Sequence, residues 1–117
     1  MKHKLNNLDS AINIIIESSQ KHAQATETGD YKTANKNYYL IKKGVTYLRE
    51  NDGIEKLKEL LTYNETSVKV WVASYLLKHD EHLAVTVLEE IASKSIPHQS
   101  FDAKMVLQEW RKGNLNI

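Results

Sequence analysis

Apolar residues recur along most of the chain at spacings of three and four, which is the period of an amphipathic α-helix. Only four glycines and one proline occur, and most of them lie where the hydrophobic pattern stops. The pattern therefore predicts an all-α protein in which short turns join six helices. The predicted spans are 9–27, 30–50, 53–62, 66–78, 81–94 and 100–112.

Short polar side chains mark the predicted helix starts, because an oxygen at the N-cap accepts the free backbone N–H groups of the first turn. Asp52 also has Glu55 at the spacing of a capping box. The predicted N-caps are Asp9, Asp30, Asp52, Thr66, Asp80 and Ser100.

Consecutive helices pair into three antiparallel hairpins, which begin near residues 9, 52 and 80. About three such units are what a helical-repeat stack needs in order to bury the apolar face of each hairpin on the next. A chain of 117 residues is the usual size of one domain. The sequence thus predicts a single helical domain over 1–117 with three stacked hairpins.

Helix 66–78 has almost no polar face when its residues are placed at about 100° each. A helix that is apolar on all sides is a buried one, so it should lie between the first and third hairpins. Lys69 is a lone cation in this helix and should meet a carboxylate from an adjacent hairpin, with Asp102 the first candidate and Glu65 the second. The large aromatics Trp71, Tyr75 and Trp110 are predicted to be structural.

Helix 30–50 carries two opposite stripes. The inward one is predicted to contain Ala34, Tyr38, Ile41, Val45 and Leu48. The outward one defines a candidate partner-binding surface, named the Lys–Tyr face, because tyrosines suit protein recognition and lysines select an acidic partner. Its residues are Lys32, Lys36, Tyr39, Lys43 and Tyr47.

The alternative for this helix is structural. Leu40 and Tyr47 lie beside the basic stripe, where helix 9–27 or a second copy of the chain could cover them. A homo-oligomer formed through the tyrosine-rich helix is therefore a further expectation, and it stays open beside the partner-binding hypothesis.

Charge and composition narrow the classes of partner. Sixteen Lys and Arg stand against fifteen Asp and Glu, a formal charge of +1, and such a balance disfavours nucleic acid as the partner. Residues 1–50 carry +3 (eight basic, five acidic) and residues 51–117 carry −2 (eight basic, ten acidic). The absence of cysteine fits a reducing compartment, so a cytoplasmic location is expected, and no apolar run is long enough to predict a membrane span.

The chain carries few combinations of residues that could support catalysis or bind a metal. His79 and His82 have a spacing that could bring two imidazoles to one metal, but no third ligand is evident and Asp80 is explained as a helix cap. No Gly-rich phosphate loop, nucleophile elbow or His-Glu-x-x-His helix is present. The sequence predicts no enzymatic activity, no cofactor and no metal.

The segment "SVKVWVASYLL" resembles the second helix of a HEAT repeat, with Lys69 where a basic residue, more often Arg, pairs with a neighbouring unit. With "TETGDYKTANKNY" (26–38), "LAVTVLEEIA" (83–92) and "FDAKMVLQEWRKGNL" (101–115), the chain is similar to a bacterial family of small HEAT-like proteins catalogued as a domain of unknown function. The resemblance implies a HEAT-like α-solenoid and no established activity. Small helical-repeat proteins of this kind in bacteria are sometimes similar to immunity proteins, which neutralise a toxin by binding it.

The function predicted from these observations is a non-enzymatic protein-binding module, with an immunity-type protein as the specific form that the resemblance suggests. A HEAT-like nucleic-acid-binding protein is the alternative. It would require a positively charged groove, which a steep salt dependence of binding would reveal.

Overall fold

A computed structural model of the chain describes residues 5–115 and 117. These residues contain helices and no β-strand, so the predicted all-α class is confirmed. None of the described helices is both long and apolar enough to cross a membrane. The helices are α1 (Leu8–Thr28), α2 (Tyr31–Glu50), a 3₁₀ helix (Ile54–Thr62), α3 (Thr66–Leu76), α4 (Glu81–Ala92) and α5 (Gln99–Arg111).

The third helix differs in type from the expected α-helix. It is a 3₁₀ helix of nine residues, which is long for this conformation. Its apolar residues Ile54, Leu57 and Leu60 recur every third position, and a helix with three residues per turn keeps such a stripe on one side. Leu57 and Leu60 are buried, whereas Ile54 is half-buried. The stripe is compatible with the 3₁₀ helix, although an α-helix would also keep these three residues on one face.

Two of the predicted N-caps are confirmed and four are wrong. The carboxylates of Asp30 and Asp80 accept the backbone N–H groups of Thr33 and Leu83, at 3.1 and 3.3 Å. Asn7 instead of Asp9 caps α1, in a capping box with Ser10. The other three predicted caps do not occupy the N-cap position. Asp52 precedes Gly53 and has a positive φ of 55°. Thr66 is the first residue of α3, after Glu65, and Ser100 lies inside α5, which begins after His98.

The chain forms two compact units, residues 1–57 and 58–117. In the first unit α1 packs along α2, and these helices correspond to the first predicted hairpin. Gly29 ends α1 in the left-handed conformation with φ 74°, and its N–H bonds back to the carbonyls of Ala25 and Thr26. Asp30 then caps α2 at once, so two residues turn the chain.

The buried stripe of α2 is rotated relative to the prediction. Ile41, Val45 and Leu48 are buried as expected, but Ala34 and Tyr38 are only half-buried. Asn37 and Gly44 take their places in the core. The Asn37 amide satisfies its own hydrogen bonding by donating to the Thr33 carbonyl at 2.9 Å. An intrahelical hydrogen bond of this kind offsets the free-energy cost of burying a polar side chain.

In the second unit, α3 packs against α4 and α5, which also pack against each other. The prediction of a buried, all-round apolar helix is confirmed for α3, and Leu77 just after it is buried as well. Tyr75 is buried and Trp71 is half-buried, with the two rings stacked at 6.4 Å between centroids. The buried residues of α3 are Val68, Val70, Val72, Ala73, Ser74, Tyr75 and Leu76.

Polar contacts join α4 to α5 and to the loop before it. The Trp110 indole N–H donates to the Glu81 carboxylate at 2.8 Å, across 29 residues of sequence. Ser100, which is buried, donates its hydroxyl to the Ile91 carbonyl and accepts from the Ile96 N–H, both at 2.7 Å. Ser100 therefore fixes the loop instead of capping the helix.

Lys69 is half-buried on α3. Its long aliphatic stem can cover apolar surface while the ammonium reaches water or an acidic partner. The predicted pairing of Lys69 with Asp102 or Glu65 stays a prediction. The prediction of a single domain over 1–117 and of three stacked hairpins stays a prediction.

Candidate functional site

The predicted Lys–Tyr face lies on α2, in the first unit. Lys32, Lys36, Tyr39 and Lys43 are exposed, and Tyr39 keeps 59% of its surface accessible. Tyr47 is half-buried, whereas its position in the outward stripe predicted an exposed side chain. Leu40, predicted to lie beside the stripe, is half-buried too.

The face is electropositive because α2 concentrates basic residues. Residues 31–50 contain Lys32, Lys36, Lys42, Lys43 and Arg49 against the single acid Glu50, a balance of +4. No acidic residue lies in the first turn of the helix. Lysines near a helix N-terminus face the positive end of the helix dipole, which is an unfavourable place for a cation. Lysines at this position therefore lower the stability of α2 slightly, and the Asp30 carboxylate at the N-cap offsets part of that cost.

An open depression of about 560 Å³ lies at the C-terminal half of this face. Its volume falls within the usual range for a binding pocket. Lys42, Thr46 and Leu5 were not predicted to belong to it. Leu5 could not be predicted, because only the folded hairpin brings residue 5 beside α2. The lining residues are Leu5, Tyr39, Lys42, Lys43, Thr46, Tyr47 and Glu50.

A second depression, of about 470 Å³, lies near the N-terminus of α2. Tyr38 lines it, and its ring meets the Tyr39 ring edge-on at 5.1 Å between centroids. This contact restrains Tyr39 at the first depression, which lowers the entropy that a binding partner would have to remove. The lining residues are His22, Tyr31, Lys32, Ala34, Asn35 and Tyr38.

The second unit exposes an apolar pair that the sequence analysis did not single out. Phe101 is 65% exposed and Met105 is 39% exposed, four residues apart on α5. The opposite side of the helix buries Ala103 and Leu107. Placing α5 at 100° per residue would have separated these two sides, so the signal was present in the sequence.

Two carboxylates among the described residues have a lowered pKa, and each of them caps a helix. The Thr33 hydroxyl, which donates at 2.7 Å, and then the Thr33 backbone N–H lower the pKa of Asp30. The Leu83 backbone N–H and then the Lys58 ammonium at 3.2 Å lower the pKa of Asp80. His79 and His82 are exposed, and no group of three or more His, Asp or Glu among the described residues could hold a metal.

Comparison with known proteins identifies the fold. No family model and no curated protein matches the chain. The chain is similar to the crystal structure of the protein RPA1889 from Rhodopseudomonas palustris CGA009, with a TM-score of 0.86 and 19% identity. The match covers 97% of this chain and 99% of that one. At this level of identity the likeness shows a shared all-α fold and no more.

Proposed function

We propose that this protein is a non-enzymatic, HEAT-like binding module of three helical hairpins that docks another protein through the Lys–Tyr face. The observation that carries the proposal is Tyr39, which is 59% exposed at the centre of a helix face bearing exposed lysines. Tyrosine contributes large contact area at low entropy cost and is enriched in protein interfaces. The lysines around it favour a partner with an acidic surface.

An immunity-type role is the specific form of this proposal. A toxin that acts on nucleic acid or another polyanion has a basic active site, so an immunity protein with a basic face would bind such a toxin elsewhere, on an acidic patch. The neighbouring open reading frame is the first observation to make, because an immunity gene lies beside its toxin. Co-expression of that neighbour with and without this protein then tests for rescue of growth.

The experiment that tests the docking surface is a pull-down from the native cell. Lys36→Glu/Lys43→Glu reverses two charges on the Lys–Tyr face, and Lys94→Glu/Lys104→Glu makes the same charge change at exposed positions of the second unit. We expect the first variant to lose the partner and the control to keep it, with circular dichroism confirming that both are folded. Equal recovery of one partner by wild type and both variants would place the binding site elsewhere.

The alternative function, nucleic-acid binding, has one observation in its favour, the balance of +4 on α2. Binding to phosphates releases counterions, so affinity would fall steeply with salt and no acidic protein would be required. Retention on heparin that Lys36→Glu/Lys43→Glu abolishes, together with binding to a single-stranded oligonucleotide at physiological salt, would favour this function over protein docking.

A further inference from the structure

The larger depression on α2 combines two kinds of wall. Tyr39, Tyr47 and Leu5 supply apolar and aromatic surface, whereas Lys42 and Lys43 supply positive charge at the same rim. Partly apolar concavities with a few placed polar groups are the usual form of an anchor site for one side chain of a partner. The depression therefore offers apolar contact surface as well as positive charge, and a partner could use both.

The lysines of α2 divide into two groups by their position. Lys42 and Lys43 line the depression, and Lys32 and Lys36 lie outside it towards the N-terminus. Seven residues of helix separate Lys36 from Lys43, a rise of about 10 Å. That distance is close to the Debye length at physiological salt, so Lys36 can attract an approaching anion without touching a group seated in the depression.

Glu50 makes the two ends of the depression differ in charge. It is the only acid among residues 31–50, and it lies at the end of the depression away from Lys36. A carboxylate bound at that end would be repelled, whereas one bound near Lys42 and Lys43 would be attracted. The carboxylates of a bound segment therefore belong on one side of its anchoring residue.

We propose, resting on the protein-docking function above, that the depression between Tyr39 and Tyr47 receives one large apolar side chain from an acidic segment of the partner. Lys42 and Lys43 pair with carboxylates beside that anchor, and Lys32 and Lys36 steer the segment during approach. The anchor governs how slowly the complex dissociates, and the steering lysines govern how fast it forms.

The test uses a capped peptide in which a tryptophan is preceded by aspartates, with two matched peptides that replace the tryptophan by alanine or the aspartates by asparagines. Titration of the labelled full-length protein followed by NMR should give saturable shifts at the amides of residues 42–47. We expect each matched peptide to bind about tenfold more weakly, and only the aspartate effect to disappear at high salt.

Three single substitutions at exposed positions test the depression itself. Thr46→Gln fills the depression from an exposed position and should weaken the tryptophan peptide about tenfold, whereas Phe101→Ser in the second unit should leave binding unchanged. Glu50→Gln should strengthen binding of the tryptophan peptide, because it removes the repulsion between Glu50 and the aspartates of the peptide. Shifts centred outside residues 39–50, no saturation, equal binding of the alanine peptide, or tighter binding of an oligonucleotide at the same residues would each overturn the anchor.

The outcome for the anchor is distinguishable from that for the docking function. If Lys36→Glu/Lys43→Glu loses the cellular partner while Thr46→Gln keeps it, the basic face docks a protein and the anchor proposal is overturned alone. If both charge variants keep the partner, the docking surface itself is wrong. Loss of the partner in Thr46→Gln together with tryptophan-dependent peptide binding supports both.

Discussion

Gly44 of α2 lies against the backbone of α1 at Ala11. A Cβ atom at position 44 would stand 3.1 Å from the Ala11 carbonyl oxygen and 2.7 Å from Cγ1 of Ile15. Ala11 and Ile15 are themselves buried, at 0% and 1% exposure. Glycine thus sets how closely the two helices of the first unit approach.

Replacing Gly44 by Ala should destabilise the protein, although alanine is the better helix former by about 1 kcal/mol. Overpacking a core costs about 1–3 kcal/mol, and the upper part of that range applies because one near atom belongs to the α1 backbone. We expect a net loss of about 1–2 kcal/mol in urea unfolding. Thr46→Ala, at an exposed position of the same helix, should instead add about 0.5 kcal/mol. Equal gains in both variants would refute the close approach.

Asp80 should make stability depend on pH. Its folded-state pKa lies below the unfolded value, so its contribution is present at neutral pH and is lost as pH falls through the folded-state pKa. Asp80→Asn keeps a cap acceptor without the charge, and it should be less stable than wild type at pH 7. The gap should close below about pH 4.

The comparison is made from urea midpoints across pH. Lys58→Met removes one of the groups that lower the pKa of Asp80, so it should reproduce part of the effect. A difference between Asp80→Asn and wild type that stays constant from neutral to acidic pH would show that the charge of Asp80 is not responsible.

The hydrogen bond between Trp110 and Glu81 should couple the two residues. Removing a bond of this kind costs about 1 kcal/mol net, so a double-mutant cycle of Trp110→Phe and Glu81→Ala should give a coupling of that size. The ion pair between Arg111 and Glu89 serves as the control. Both its side chains are more than half exposed, so its coupling should be about 0.5 kcal/mol. A Trp110–Glu81 coupling near zero contradicts the contact.

Truncation of side chains on the two sides of α5 should change stability by very different amounts. Phe101 is 65% exposed, so Phe101→Ser should change unfolding free energy by no more than about 0.5 kcal/mol. Leu107 is 4% exposed, and Leu107→Ala should cost about 2–5 kcal/mol. Thermal or urea unfolding measures both. A large loss from Phe101→Ser would mean that another surface covers Phe101.

Local signals located the helices well, since each reflects interactions within a few residues. Gly29 and Asp30 mark the turn between α1 and α2 because a left-handed glycine and a capping carboxylate act on adjacent backbone. The third helix was predicted as an α-helix but is a 3₁₀ helix, in which Ile54, Leu57 and Leu60 recur every third residue. The outward position of four Lys–Tyr face residues also followed from periodicity alone.

The all-α class, the approximate helix bounds and the burial of α3 follow from the sequence alone, because helical period and apolar content act along the chain. Which residues of α2 face the core depends on how the helices pack. The line along which α1 crosses α2 puts Asn37 and Gly44 there instead of Ala34 and Tyr38. Tertiary packing also brought Leu5 beside Tyr39 and Tyr47, and Trp110 onto Glu81. Contacts between residues far apart in sequence depend on how helices pack, and helical periodicity carries no record of that packing.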